Sequence, residues 1–106
     1  MAQFDVHRNI GKHKEPIPFL VVAQSGQFDS YRRGVVVPLV QATEIGKIDY
    51  RAFNPTFKVL GVSVVLHPLE IVSVPFEQLG DVVGSLSDES QSIVAALDEL
   101  LSRAWK

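Results

Sequence analysis

Cysteine is absent from the 106 residues. That excludes a disulfide framework, a thiolate zinc site, a cysteine nucleophile and an iron–sulfur cluster, and it suits a reducing compartment. Charge of either sign is scarce in the balance: ten Lys/Arg against twelve Asp/Glu leave a net −2 and a pI near 5.8. A protein that wraps nucleic acid through phosphates is strongly basic, so direct DNA wrapping is not expected. No apolar run is long enough to span a bilayer; the longest, Val59–Leu66, is broken by Gly61 and Ser63. The opening Met1–Arg8 has no apolar export core, so a cytoplasmic location is expected. Repeats, low-complexity tracts and linkers are missing too, and one domain over residues 1–106 is expected.

What the chain does have is a globular composition, 46% hydrophobic and 21% charged. A domain of this size hides only about two-thirds of its unfolded surface, which leaves apolar surface for a partner to cover. The charge is also unevenly placed. Residues 1–58 carry eight basic residues against five acidic, a net +3, and residues 59–106 carry two against seven, a net −5.

Periodicity predicts a β-rich chain. Gln3–Asn9 alternates, with Phe4 and Val6 on one side and Asp5 and His7 on the other, as a half-buried strand does. Phe19–Gln24 is continuously apolar, the pattern of an internal strand, and β-branched Gly34–Leu39 is a third, expected to stop its ladder at Pro38. Loops fall at Ile10–Pro18 and Ser25–Arg33. Val40–Gly46 reads as one helical turn stopped by Gly46, and Phe57–Leu60 with Val62–Leu66 reads as a hairpin about Gly61. Ile71–Val74 is expected to be the last strand, followed by a turn at Phe76–Leu79 that opens on Pro75. The terminal helix is capped by Ser85 or Ser87, with Asp88 and Glu89 in its first turn and a buried stripe of Ile93, Leu97, Leu100, Leu101 and Ala104. Val94, Asp98, Leu101 and Trp105 share the neighbouring face.

Signatures of catalysis are thin. His7, His13 and His67 have no metal-ligand spacing, no nucleophile elbow is present, and Gly46 and Gly61 stand alone rather than in a phosphate loop. No metal site, cofactor or catalytic residue is expected. Arg32-Arg33 at a strand entry projects to two faces, one arginine facing solvent and the other free to pair with an acid at the core edge. Trp105 is the one tryptophan, a residue type enriched at binding hot spots. These features describe a binding module.

A set of segments, taken in order, resembles the CcdB family, the toxin half of a bacterial toxin–antitoxin pair. They are Gln3-Phe4-Asp5-Val6; Phe19-Leu20-Val21-Val22-Ala23-Gln24-Ser25; Asp29; Arg32-Arg33-Gly34-Val35-Val36-Val37-Pro38-Leu39; Asn54-Pro55; Ser73-Val74-Pro75; Leu79-Gly80-Asp81; and Ile93-Val94-Ala95-Ala96-Leu97 before a near-terminal tryptophan. The resemblance covers essentially the whole chain. It implies a mainly β, SH3-like antiparallel barrel or sheet with a C-terminal α-helix, forming a homodimer. It also implies a non-catalytic poison of the DNA gyrase A subunit that traps the cleaved-DNA complex. Trp105, Lys106, Leu101, Asp98, Val94, Gln27 and Phe28 are then the gyrase-binding residues. A CcdA-like antitoxin with a flexible acidic segment would dock on the basic loop through Arg8, Lys12, His13 and Lys14. Operator DNA would be reached only through the toxin–antitoxin complex, in an autoregulated operon of the kind that maintains plasmids. This chain ends Ala104-Trp105-Lys106 where toxic members commonly end Trp-Gly-Ile. Two alternatives accompany the reading: a non-toxic homologue that binds only the antitoxin, and an endoribonuclease of the same fold centred on Arg32 or Arg33.

Overall fold

Seven antiparallel strands and a C-terminal helix make up the computed structural model, which describes residues 2–48 and 50–102. The strands are β1 (Asp5–Asn9), β2 (Phe19–Val22), β3 (Arg33–Gln41), β4 (Thr56–Val59), β5 (Val62–Leu66), β6 (Val72–Pro75) and β7 (Leu79–Ser85). A one-turn helix α1 (Ala42–Ile45) follows β3, and α2 (Ser90–Ser102) closes the chain. The sheet runs β4-β5-β3-β2-β1-β7, with β6 also paired to β3, and it curls into a half-barrel.

The alternation of side chains decides where the core lies. Val6, Phe19, Val21, Val37, Leu39, Phe57, Val59, Val64 and Leu66 point to one face, and α2 lays Ile93 and Ala96 against them. The opposite face holds a smaller cluster of Leu20, Val22 and Val36, flanked by Ile17, Val74 and Leu79. All four residues of β2 are buried, so its unbroken apolar run marks a strand covered on both faces. Full burial of each such side chain contributes about 1.5–3 kcal/mol.

Pro38 does not end its strand. β3 continues to Gln41, and Pro38 itself sits opposite Leu20 of β2. The reason lies on the other edge of β3, where residues 33–36 pair with β6 and residues 39–41 pair with β5. The Pro38 carbonyl accepts from the His67 backbone N–H at 3.0 Å on that edge. A residue's N–H and C=O point the same way in a strand, so the donor that proline lacks falls in the gap where the partner changes.

The β4–β5 hairpin turns at Leu60 (φ 49°) and Gly61 (φ 79°), two left-handed residues in a row as a two-residue type I′ turn requires. The strand β7 is absent from the sequence-based expectation. Its Gly80, Asp81 and Gly84 dilute the β signal, and most of its residues are exposed because β1 is its one strand partner among the described residues. The helix start also differs. Asp88 and Glu89 lie in a separate 3-10 turn, Ser87–Glu89, whose Ser87 N–H donates to the Ser85 hydroxyl at 3.1 Å, and α2 begins only at Ser90. Its buried stripe is Ile93, Ala96 and partly Leu97 and Leu100, at i, i+3, i+4, i+7 spacing. Leu101, expected in that stripe, is 72% exposed, because it lies one helical step round from Leu100; Ala104 lies outside the described residues. No described helix is long and apolar enough to cross a membrane.

Candidate functional site

Three surfaces carry the residues singled out from the sequence. The first is the outer face of α2. With Ile93 and Ala96 turned to the core, Val94, Asp98 and Leu101 are turned outward and are exposed. Val94 and Asp98 line an open groove of about 290 Å³ with Ser90, Gln91 and Ala95. Trp105 and Lys106, expected to extend this face, lie outside the described residues.

The second is the loop between β2 and β3. The Ser25 hydroxyl accepts from the Gln27 N–H and starts a 3-10 turn, Gly26–Phe28. Gln24 fastens the loop: its amide nitrogen donates to the carbonyls of Phe28 (3.4 Å) and Arg33 (3.3 Å), and its amide oxygen accepts from the Val35 N–H (3.2 Å). The rings of Phe28 and Tyr31 meet edge to face, with centroids 6.0 Å apart and planes at 72°. Arg33 and Val35 share a face of β3, and Ser73 of β6 sits opposite Val35. Arg33 therefore reaches diagonally across, donating from Nε to Ser73 Oγ at 2.9 Å and from Nη2 to the Ser73 carbonyl at 2.7 Å. Gln24, Phe28, Tyr31, Arg33 and Ser73 line an open cavity of about 380 Å³. The partner of Arg33 is thus a serine and a carbonyl, not the acid expected from the sequence, and Arg32 is exposed. Gln27 and Phe28 are exposed here, and Phe28 lines this cavity rather than the groove on α2. Sequence reasoning missed Gln24, Tyr31 and Ser73. The signal for Ser73 was strand pairing, which residue types alone do not fix.

The third surface is the basic loop after β1. Asn9 organises it, donating to the Ile17 carbonyl (2.8 Å) and accepting from the Gly11 N–H (3.0 Å), and Gln41 donates to the Glu15 carbonyl (2.7 Å). Arg8 and Lys14 come together along a cavity of about 400 Å³ with Asn9, Ile10, Glu15 and Pro18. Lys12 and His13 are exposed on the same loop but do not line it. Among the described residues no three of His, Asp and Glu converge as metal ligands.

The family model of the CcdB protein matches residues 3–102. The chain belongs to the CcdB family. It is accordingly a member of a family of toxins from toxin–antitoxin systems. A solved structure, an endoribonuclease in complex with its cognate antitoxin from mycobacterial species, superposes with a TM-score of 0.76 at 14% identity, over 100% of this chain and 99% of that one. At that identity the likeness is one of fold. No curated protein matches the chain significantly. For a CcdB-family chain the three surfaces acquire separate meanings: an outward helix face, an aromatic–arginine cavity and a basic loop.

Proposed function

We propose that this chain binds the DNA gyrase A subunit, holds the enzyme in its cleaved-DNA complex, and is released by a cognate antitoxin. The observation that carries the reading is the family match over residues 3–102. The exposed face of α2 supports it: Val94 at 45% and Leu101 at 72% exposure leave an apolar strip uncovered, next to Asp98. Trp105 and Lys106 belong to the proposed gyrase contact, as do Gln27 and Phe28 of the loop between β2 and β3. A homodimer is part of the reading, with two such faces related by a two-fold axis. The exposed apolar segment of Leu69, Ile71 and Val72 lies beside an edge of β6 that pairs with no strand among the described residues, which supports self-association. The antitoxin's acidic segment occupies the cavity between Arg8 and Lys14, with Lys12 and His13 contributing charge. The toxin itself performs no chemistry in this reading.

The test is supercoiling by purified gyrase. Wild-type protein is expected to inhibit it and to yield linear DNA after protein removal. Trp105→Ala and Leu101→Glu are expected to lose both effects while keeping wild-type melting behaviour. Untouched gyrase at large toxin excess, with tight binding to the antitoxin intact, would instead establish the non-toxic homologue. RNA cleaved by wild type and spared by Arg33→Ala would overturn both.

A further inference from the structure

The cavity of Gln24, Phe28, Tyr31, Arg33 and Ser73 has no part in the gyrase or antitoxin reading beyond Phe28 at its rim. Its Arg33 is held in a telling way. Ser73 takes Nε and one hydrogen of Nη2, which is the side edge of the guanidinium. The end pair, Nη1 and the second hydrogen of Nη2, keeps its parallel donors, the fork that grips two oxygens of a phosphate or carboxylate. No described carboxylate forms an ion pair with Arg33, and none lines the cavity; Asp29 sits back on the loop by Gly26, and Arg32 adds a second exposed cation.

The other walls are aromatic. Phe28 and Tyr31 are 42% and 64% exposed and stand nearly perpendicular, so a flat ring laid against one presents its edge to the other. A carboxylate would satisfy the arginine fork and leave these two walls without an occupant. A base joined to a phosphate uses both. Gln24 spends its amide on the loop backbone, which fixes the walls before any ligand arrives. The volume, about 380 Å³, lies at the small end for ligand cavities and suits one nucleotide unit.

We propose that this cavity binds a single nucleoside phosphate, its phosphate on the free end of Arg33 and its base on Tyr31 and Phe28. The unit comes either as a free nucleotide or as one residue of an unpaired strand. The polar groups lining the cavity are the guanidinium of Arg33, the hydroxyls of Ser73 and Tyr31 and the amide of Gln24, with no carboxylate or imidazole among them, and the proposal is one of binding.

The proposal is tested by NMR titration of the full chain with AMP, inorganic phosphate, a single-stranded hexanucleotide and a glutamate-rich peptide. AMP or the hexanucleotide is expected to shift the Arg33 Nε–H and Tyr31 ring resonances, with phosphate alone at least tenfold weaker. Preference for AMP identifies the free nucleotide as source; preference for the hexanucleotide identifies the strand. Arg33→Met is expected to weaken binding about tenfold or more, the loss of a charged bidentate contact. Should that variant disturb the β3–β6 pairing, Tyr31→Leu, at an exposed ring, serves in its place and is expected to weaken binding at least fivefold. The proposal is overturned if neither nucleotide ligand moves these resonances at millimolar concentration, if the folded variants bind as wild type, or if the peptide alone moves them. Arg33 and Tyr31 stand outside the proposed gyrase and antitoxin contacts, so this outcome is independent of the gyrase assay.

Discussion

Leu60 occupies a backbone conformation that leucine seldom adopts. Its φ of 49° lies in the left-handed region, where a Cβ crowds the following carbonyl at a cost of roughly 1–2 kcal/mol. The side chain recovers little of that by burial, since it is 58% exposed. Asparagine tolerates the region and forms the preferred Asn-Gly pair of a type I′ turn. Leu60→Asn is therefore expected to stabilise the protein by about 0.5–1 kcal/mol, raising Tm by a few degrees in a thermal melt. Gly61 at φ 79° was legible in the sequence as the hairpin glycine; the strain on its neighbour was not, because a leucine between strands reads as one more strand residue. At the same scale, His7 is buried beside Leu20, and its Nδ1 donates to the Gly80 carbonyl at 2.9 Å. Alternation alone assigned it to the polar side of β1. The second apolar cluster, which turns that side into an interior, forms only once β2, β3 and β6 are assembled.

Among the elements, β7 shows most clearly what residue patterns conceal. It closes the sheet against β1, with irregular register between Val6 and His7 and between His7 and Asn9. Its two glycines are not equivalent. A Cβ on Gly80 would stand 2.8 Å from the Arg8 carbonyl oxygen and 2.9 Å from Ile10 Cγ2, whereas one on Gly84 meets nothing within 4 Å. Gly80→Ala is expected to destabilise by about 1–3 kcal/mol, as overpacking against backbone does, and Gly84→Ala to stay within about 0.5 kcal/mol of wild type. Urea unfolding of the pair checks both. The glycines that weakened the strand signal are thus of two kinds, one imposed by close approach to β1 and one without a steric reason. The remaining strands were readable because their apolar runs are β-branched and bounded by Pro, Gly and Asn. Boundaries moved where pairing overrode local signals, as at Pro38, whose missing donor is harmless only because β3 changes partners beside it.

For the whole molecule, the basic and acidic halves of the sequence do not separate in space. Acidic-half strand β7 lies beside β1, and β6 lies beside β3. What survives is local: Arg8 and Lys14 converge on one cavity, with Lys12 and His13 exposed on the same loop. If an acidic antitoxin segment docks there, its association is steered by charge and weakens as salt rises. The double variant Lys12→Glu/Lys14→Glu is expected to slow antitoxin association about tenfold at low ionic strength, with a smaller effect in 0.5 M salt, measured by surface plasmon resonance. The helix face and the basic loop were legible as exposed surfaces because polar or charged residues recur at helical or loop spacing. The Arg33 cavity was legible only as an arginine pair, since its other walls come from residues as far as 40 positions away.

The pairing of β1 with β7 joins Asp5 to Ser85, the first strand to the last. On the ribosome this gives the fold a compulsory wait. At roughly 5–20 residues per second, about 4–15 s separate the synthesis of Asn9 from that of Ser85. Throughout that interval the outer edge of β1 has no partner from its own chain. Until then an unclosed edge is available to any extended peptide in its vicinity, so a nascent toxin passes through a state in which an extended segment of a neighbouring protein can pair with it before the mature surface exists.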